Sequence, residues 1–194
     1  MITINENAKT SEILVACFLS EYYFCTDVIV GDGNKTPDIT AFDKSFSVEV
    51  VICELEALHK YHSLKKQHNW SESHILTFSY DSTYNINIDR FKKIIGKKIQ
   101  KLKEGYYENA SYPVYLAIDS MMGAFDKFDI QSLLQALATQ EHACFKAILW
   151  LTRDSIFEVT LTQCKLIASF TPQSFYSQIV KYEKVTGHIF SEYK

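Results

Sequence analysis

Two carboxylates on either side of a turn are the first residues of this chain whose types and spacing could do chemistry. Asp38 follows a proline at the head of an extended run, Asp38 to Phe42. Glu49 sits in a second run that opens after a turn-like Asp43-Lys44-Ser45. There Phe46, Val48, Val50 and Ile52 alternate with Ser47, Glu49, Val51 and Cys53. A period of two over such a stretch predicts a strand. A tight hairpin would bring the two acids side by side. Glu49 is flanked by valines in a segment that wants to be buried, and an unpaired buried charge is costly. Two acids placed together need a proton or a cation between them, and a divalent metal held by oxygen ligands meets that need.

A protein-borne cation is also within the pattern. The stretch DRFKKIIGKKIQKLKE, about Asp89 to Glu104, has Phe91, Ile94, Ile95, Ile99 and Leu102 on one helical stripe. Most of its lysines flank that stripe or face away. Lys98 does not: at about 100° per residue it falls between Ile94 and Phe91 on the wheel. Its stem could simply lie on apolar surface with the ammonium reaching water, or the ammonium could reach the two acids. Lys101, one turn on and about 60° away, is the reserve.

The Pro37-Asp38 pair, the hairpin and Glu49 resemble the PD-(D/E)XK nuclease superfamily, whose motif runs Pro-Asp, hairpin, then acid-any-Lys. The lysine position holds Val51 here. The resemblance implies a restriction-endonuclease-like αβββαβ core, a central mixed sheet flanked by helices. It implies Mg²⁺ or Mn²⁺ held by Asp38, Glu49, the carbonyl of Val50 and a first-helix glutamate, with Glu12 favoured over Glu21. It also makes reasonable a lysine relocated to a neighbouring helix, Lys98, with Lys97 and Lys101 contacting nucleic acid, DNA before RNA. Glu12 can equally be a first-turn acid favoured by the helix dipole. Two other readings compete. One is a catalytically inactive nucleic-acid-binding or assembly module. The other is an unrelated α/β protein in which Asp38 and Glu49 are ordinary strand acids.

The elements that must position these residues follow in chain order. A helix opens at Thr10-Ser11-Glu12, and Ile13 to Tyr23 is apolar nearly all round, which suits a helix covered on more than one side. Phe24 to Val30 reads as a strand and Gly31 to Asn34 as a turn. After the hairpin come an amphipathic helix at Glu54 to Gln67 and a strand at Ile75 to Tyr80. His59 and His62 have a metal-site spacing but no cysteine or dense acidic set beside them. The lysine-rich helix then leads, through a tyrosine-rich linker from Tyr106 to Tyr112, into a buried strand, Pro113 to Asp119. Beyond it the pattern predicts a helix at Ile130 to Ala138 and strands at Phe145 to Leu151 and Phe157 to Ile167, with the tail unassigned.

Composition bounds the rest. At 194 residues, 47% hydrophobic, the chain suits a single folded domain over 1–194. A net charge of −3 gives no global basic signature, which fits a nucleic-acid binder only if its lysines gather on one face. The five cysteines are widely spaced with no CxxC, as for buried free thiols in a reducing cytoplasm. No leader segment or long apolar run is seen, so the expected location is cytoplasmic, with no membrane partner. Nucleic acid is the expected partner, and a homodimer or a partner subunit stays open. P-loop, dinucleotide-glycine, GxSxG and HExxH patterns are absent.

Overall fold

Helix α1 (Thr10–Tyr22) buries every residue from Ser11 to Leu19, so its surroundings must be apolar on more than one side. The computed structural model describes residues 1–31, 35–52, 88–107, 112–120, 145–160 and 162–193. The expected helix at 54–67 with its two histidines, the strand at 75–80 and the helix at 130–138 lie outside these residues.

Among the described residues the protein is α/β, an eight-stranded mixed sheet with three α-helices. The strands are β1 (Ile2–Ile4), β2 (Val28–Val30), β3 (Ile39–Ala41), β4 (Phe46–Ile52), β5 (Val114–Asp119), β6 (Ile148–Leu151), β7 (Ser155–Val159) and β8 (Cys164–Ser169). They lie in the sheet in chain order. β1–β2, β4–β5 and β5–β6 are parallel pairs, and the other four are antiparallel.

Alternation along β4 sorts its side chains between two cores. Phe46, Val48 and Val50 join the cluster built with α1 residues Ile13 to Leu19. That cluster also takes Phe175, Ile179 and Tyr182 of α3 (Pro172–Thr186). Val51 joins the other cluster, with Ile95 and Ile99 of α2 (Ile88–Lys103), Leu116, Ile118 and Trp150. Glu49 alternates with the first set and therefore belongs to the α2 side of the strand.

Several expectations shift at their edges. The strand expected over Phe24–Val30 forms only at Val28–Val30, and that over Phe145–Leu151 only at Ile148–Leu151. The stretch Phe157–Ile167 is a hairpin, β7 and β8, turned where Thr160 N–H donates to the Gln163 carbonyl at 2.8 Å. The unassigned tail holds α3, whose signals are local. Thr171 is its N-cap, accepting from Ser174 N–H at 3.1 Å; Pro172 opens it; and Gly187 closes it at φ +70°. β1, three residues long, is too short to show a period. No helix among the described residues is long and apolar enough to cross a membrane. Cys17 and Cys25 are buried free thiols, and Cys164 is free and exposed.

Candidate active site

The β3–β4 hairpin sets the two acids opposite each other. Ile39 pairs with Val48 across the antiparallel ladder, so one step further along lies Asp38 opposite Glu49. Residues directly opposite share a face of the sheet. The turn that joins the strands is a 3-10 segment, Phe42–Lys44, anchored to the loop before β2 through the side chain of its own Asp43. Its carboxylate accepts from the Thr26 N–H at 2.9 Å, the Thr26 hydroxyl at 3.0 Å and the Asp27 N–H at 3.2 Å. These donors hold the Asp43 carboxyl below its ordinary range, the Thr26 amide foremost.

Asp38 is fixed by the strand beside it and the strand it precedes. Its side chain accepts from Val50 N–H at 2.8 Å, and its carbonyl accepts from Gly31 N–H at 2.9 Å. Gly31 has φ +78°, and a Cβ there would fall 2.7 Å from Ala8 Cα. Only glycine lets the segment before α1 pass this close to the residue that bonds the Asp38 carbonyl.

Lys98 of α2 meets both acids. Its ammonium forms an ion pair and hydrogen bond with Glu49 Oε2 and lies 3.9 Å from Asp38 Oδ2. Glu49 is the dry member of the trio: its side chain is 3% exposed, against 20% for Lys98 and 22% for Asp38. Burial first, and the charge of Asp38 second, push the Glu49 carboxyl above its ordinary range, while Lys98 opposes them. A buried acid in that position holds its charge only while a cation stays beside it. Asp38, Glu49 and Lys98, all singled out from the sequence, are thus brought together.

The remaining candidates divide. Glu12, 3% exposed, turns back on its own helix start. Its carboxylate accepts from Lys9 N–H at 2.9 Å and from the Lys9 ammonium at 2.5 Å, the reciprocal half of a capping box. The hydrogen bond to Glu12 holds the Lys9 ammonium above its ordinary range, and the charges of Asp38 and Glu49 add to it. The Lys9–Glu12 pair therefore stands within electrostatic range of the trio. Glu21 faces elsewhere, bound by Gln178, by Lys181 at 2.9 Å and by Tyr182 at 2.8 Å, all on α3. The side chain of Val50 is in the α1-side core while its N–H serves Asp38. Lys97 is exposed, and Lys101 lies 4.5 Å over the Tyr106 ring.

One neighbour of the trio was not singled out from the sequence. Tyr107, read as linker, is 7% exposed and beside Glu49. Its phenol is pushed well up, by burial first and then by a hydrogen bond toward the Glu49 carboxylate. Thr36, two residues before Asp38, keeps a buried hydroxyl without a partner among the described residues. A tyrosine pair after a lysine-rich helix carries no signal of this kind, because the signal is burial.

Two carboxylates converging on one ammonium form a hard-oxygen donor set, the ligand type that divalent cations take. Among the described residues no three His, Cys, Asp or Glu side chains converge closely enough to hold one together, and the Glu12 carboxylate is engaged by Lys9. Comparison with known proteins finds no matching family model, curated protein or solved structure.

Proposed function

We propose that this chain hydrolyses phosphodiester bonds of nucleic acid, DNA foremost, in a metal-dependent reaction of the PD-(D/E)XK kind. The observation that carries the reading is the Lys98–Glu49 ion pair beside Asp38, which sets an ammonium against the two acids although Val51 stands at the motif's lysine position. The order α1–β2–β3–β4, with α2 leading into β5, supports the restriction-endonuclease-like core. Asp38 and Glu49, with the Val50 carbonyl, are the groups that would hold Mg²⁺ or Mn²⁺; Glu12 would join them only by leaving Lys9. When bound, such an ion supplies positive charge to the phosphoryl oxygens and acidifies water. Lys98, released from Glu49, orients the attacking water and offsets negative charge as the phosphorus centre becomes crowded. Asp38 keeps its orientation through Val50 N–H. Lys97 and Lys101 meet backbone phosphates along α2. The test is cleavage of a panel of DNA and RNA substrates with Mg²⁺ or Mn²⁺, blocked by chelator and lost in Glu49→Gln.

A further inference from the structure

Helix α2 ends in a cap that fixes one exposed ring beside its lysines. Gly105 closes the helix at φ +67°. The Gly105 N–H donates to the Leu102 carbonyl at 3.2 Å, and the Tyr106 N–H donates to the Lys101 carbonyl at 3.0 Å. These are the paired bonds of a Schellman cap, and they set Tyr106 just past the last turn. In such caps an apolar contact commonly joins the two positions held here by Lys101 and Tyr106. This chain puts a cation and a ring there instead, with the Lys101 ammonium 4.5 Å from the ring centroid. The buried Tyr107 meets Tyr106 nearly at right angles, centroids 5.4 Å apart, and braces it. Tyr106 nevertheless stays 45% exposed.

The place of this ring matters because α2 is also the helix of Lys98. Lys98 and Lys101 are three apart and so are neighbours on the helix surface, and Lys98 is paired with Glu49. The rise between them is about 4.5 Å, close to the spacing of about 3.4 Å per nucleotide along a stacked strand. Lys97 and Lys103 are exposed on the same helix. A cation beside an open aromatic plane offers a partner to both halves of a nucleotide, phosphate and base. Bases within a duplex cover one another, and only an unpaired base can lay its face on a side chain.

We infer that Tyr106, with Lys101, is a stacking platform for an unpaired nucleotide next to the scissile phosphate, so that the substrate is single-stranded or unpaired at the cut. The inference rests on the nucleic-acid reading above. When the base takes the ring, the Lys101 ammonium moves to that nucleotide's phosphate. The platform is indifferent to sequence, since every base has a π-face.

The test is equilibrium binding of the full chain, in chelator, to a labelled single strand and to a blunt duplex of the same sequence, made in DNA and in RNA. Wild type, Tyr106→Ala, Tyr106→Leu and Tyr106→Phe are compared at one salt concentration. Mn²⁺-dependent cleavage by wild type is recorded separately. Tyr106→Ala and Tyr106→Leu are expected to lose about 5–150-fold in single-strand affinity and little in duplex affinity. Tyr106→Phe keeps the ring and is expected to bind as wild type does. A tyrosine that merely finishes the helix would lower both affinities in parallel, or be replaced by leucine without loss, and either result overturns the inference. If wild type cleaves nucleic acid and Tyr106→Ala binds the single strand unchanged, the inference alone falls. If wild type binds neither strand nor duplex at low salt, it falls together with the nucleic-acid reading.

Discussion

Lys98 of α2 and Glu49 of β4 are joined by an ion pair that crosses from helix to sheet, two strand positions before Val51. Val51 itself is 7% exposed and belongs to the apolar cluster of Ile95 and Ile99 on the same helix. A lysine stem at position 51 would have to leave that cluster to reach Glu49. One from α2 arrives with its ammonium already at the carboxylate. The strand therefore keeps a hydrophobic residue at this place, and the helix supplies the charge.

Restoring the motif's lysine without removing Lys98 is accordingly expected to harm the fold. Val51→Lys places a second ammonium in apolar surroundings, and such a change destabilises on the order of 2–4 kcal/mol. Denaturant unfolding of Val51→Lys and Val51→Ile checks this. The isoleucine variant is expected to differ little from wild type, since it preserves the apolar character of the site.

The hairpin turn gives a pH signature separate from the site. The Asp43 carboxyl is held below its ordinary range by donors from Thr26 and Asp27. Its stabilising contribution is therefore complete above the ordinary Asp range and is lost as pH falls through the lowered folded value. Asp43→Asn is expected to reduce the stability difference between neutral and acidic pH. Unfolding midpoints of both proteins across that range, converging at the acid end, would bear this out.

Nucleic-acid binding is expected to weaken steeply with salt, because phosphate contacts release counterions. Lys97→Gln combined with Lys101→Gln leaves the Lys98–Glu49 pair untouched, and is expected to flatten the slope of log K against log salt by about 2. An unchanged slope would show that α2 does not face the phosphate backbone.

The hairpin acids and the lysine were legible because each rule involved is local. A period of two placed Glu49 within a strand, a short turn placed Asp38 across from it, and a wheel placed Lys98 within the apolar stripe. Tyr107 was not legible, since its burial comes from tertiary packing and not from any neighbour in sequence. α3 was different. Its cap, proline and closing glycine are local signals, but Phe175, Ile179 and Tyr182 touch the core at a spacing of four and three from a mostly polar segment, too sparse a stripe to stand out. Glu12 shows the limit of a first-turn acid. The same residue type serves a helix start or a metal, and here its carboxylate is paired with Lys9.

The most direct measurement is Mg²⁺- or Mn²⁺-dependent cleavage by wild type, Lys98→Met and Glu49→Gln on one broad panel of DNA and RNA substrates. Lys98→Met keeps the stem on the apolar surface and removes only the charge, so it isolates the transition-state role. The relocated lysine predicts cleavage by wild type and its loss in both variants, with Lys98→Met folded and still able to bind nucleic acid. Equal cleavage by wild type and Lys98→Met would contradict it, as would the absence of metal-dependent cleavage by wild type on every substrate.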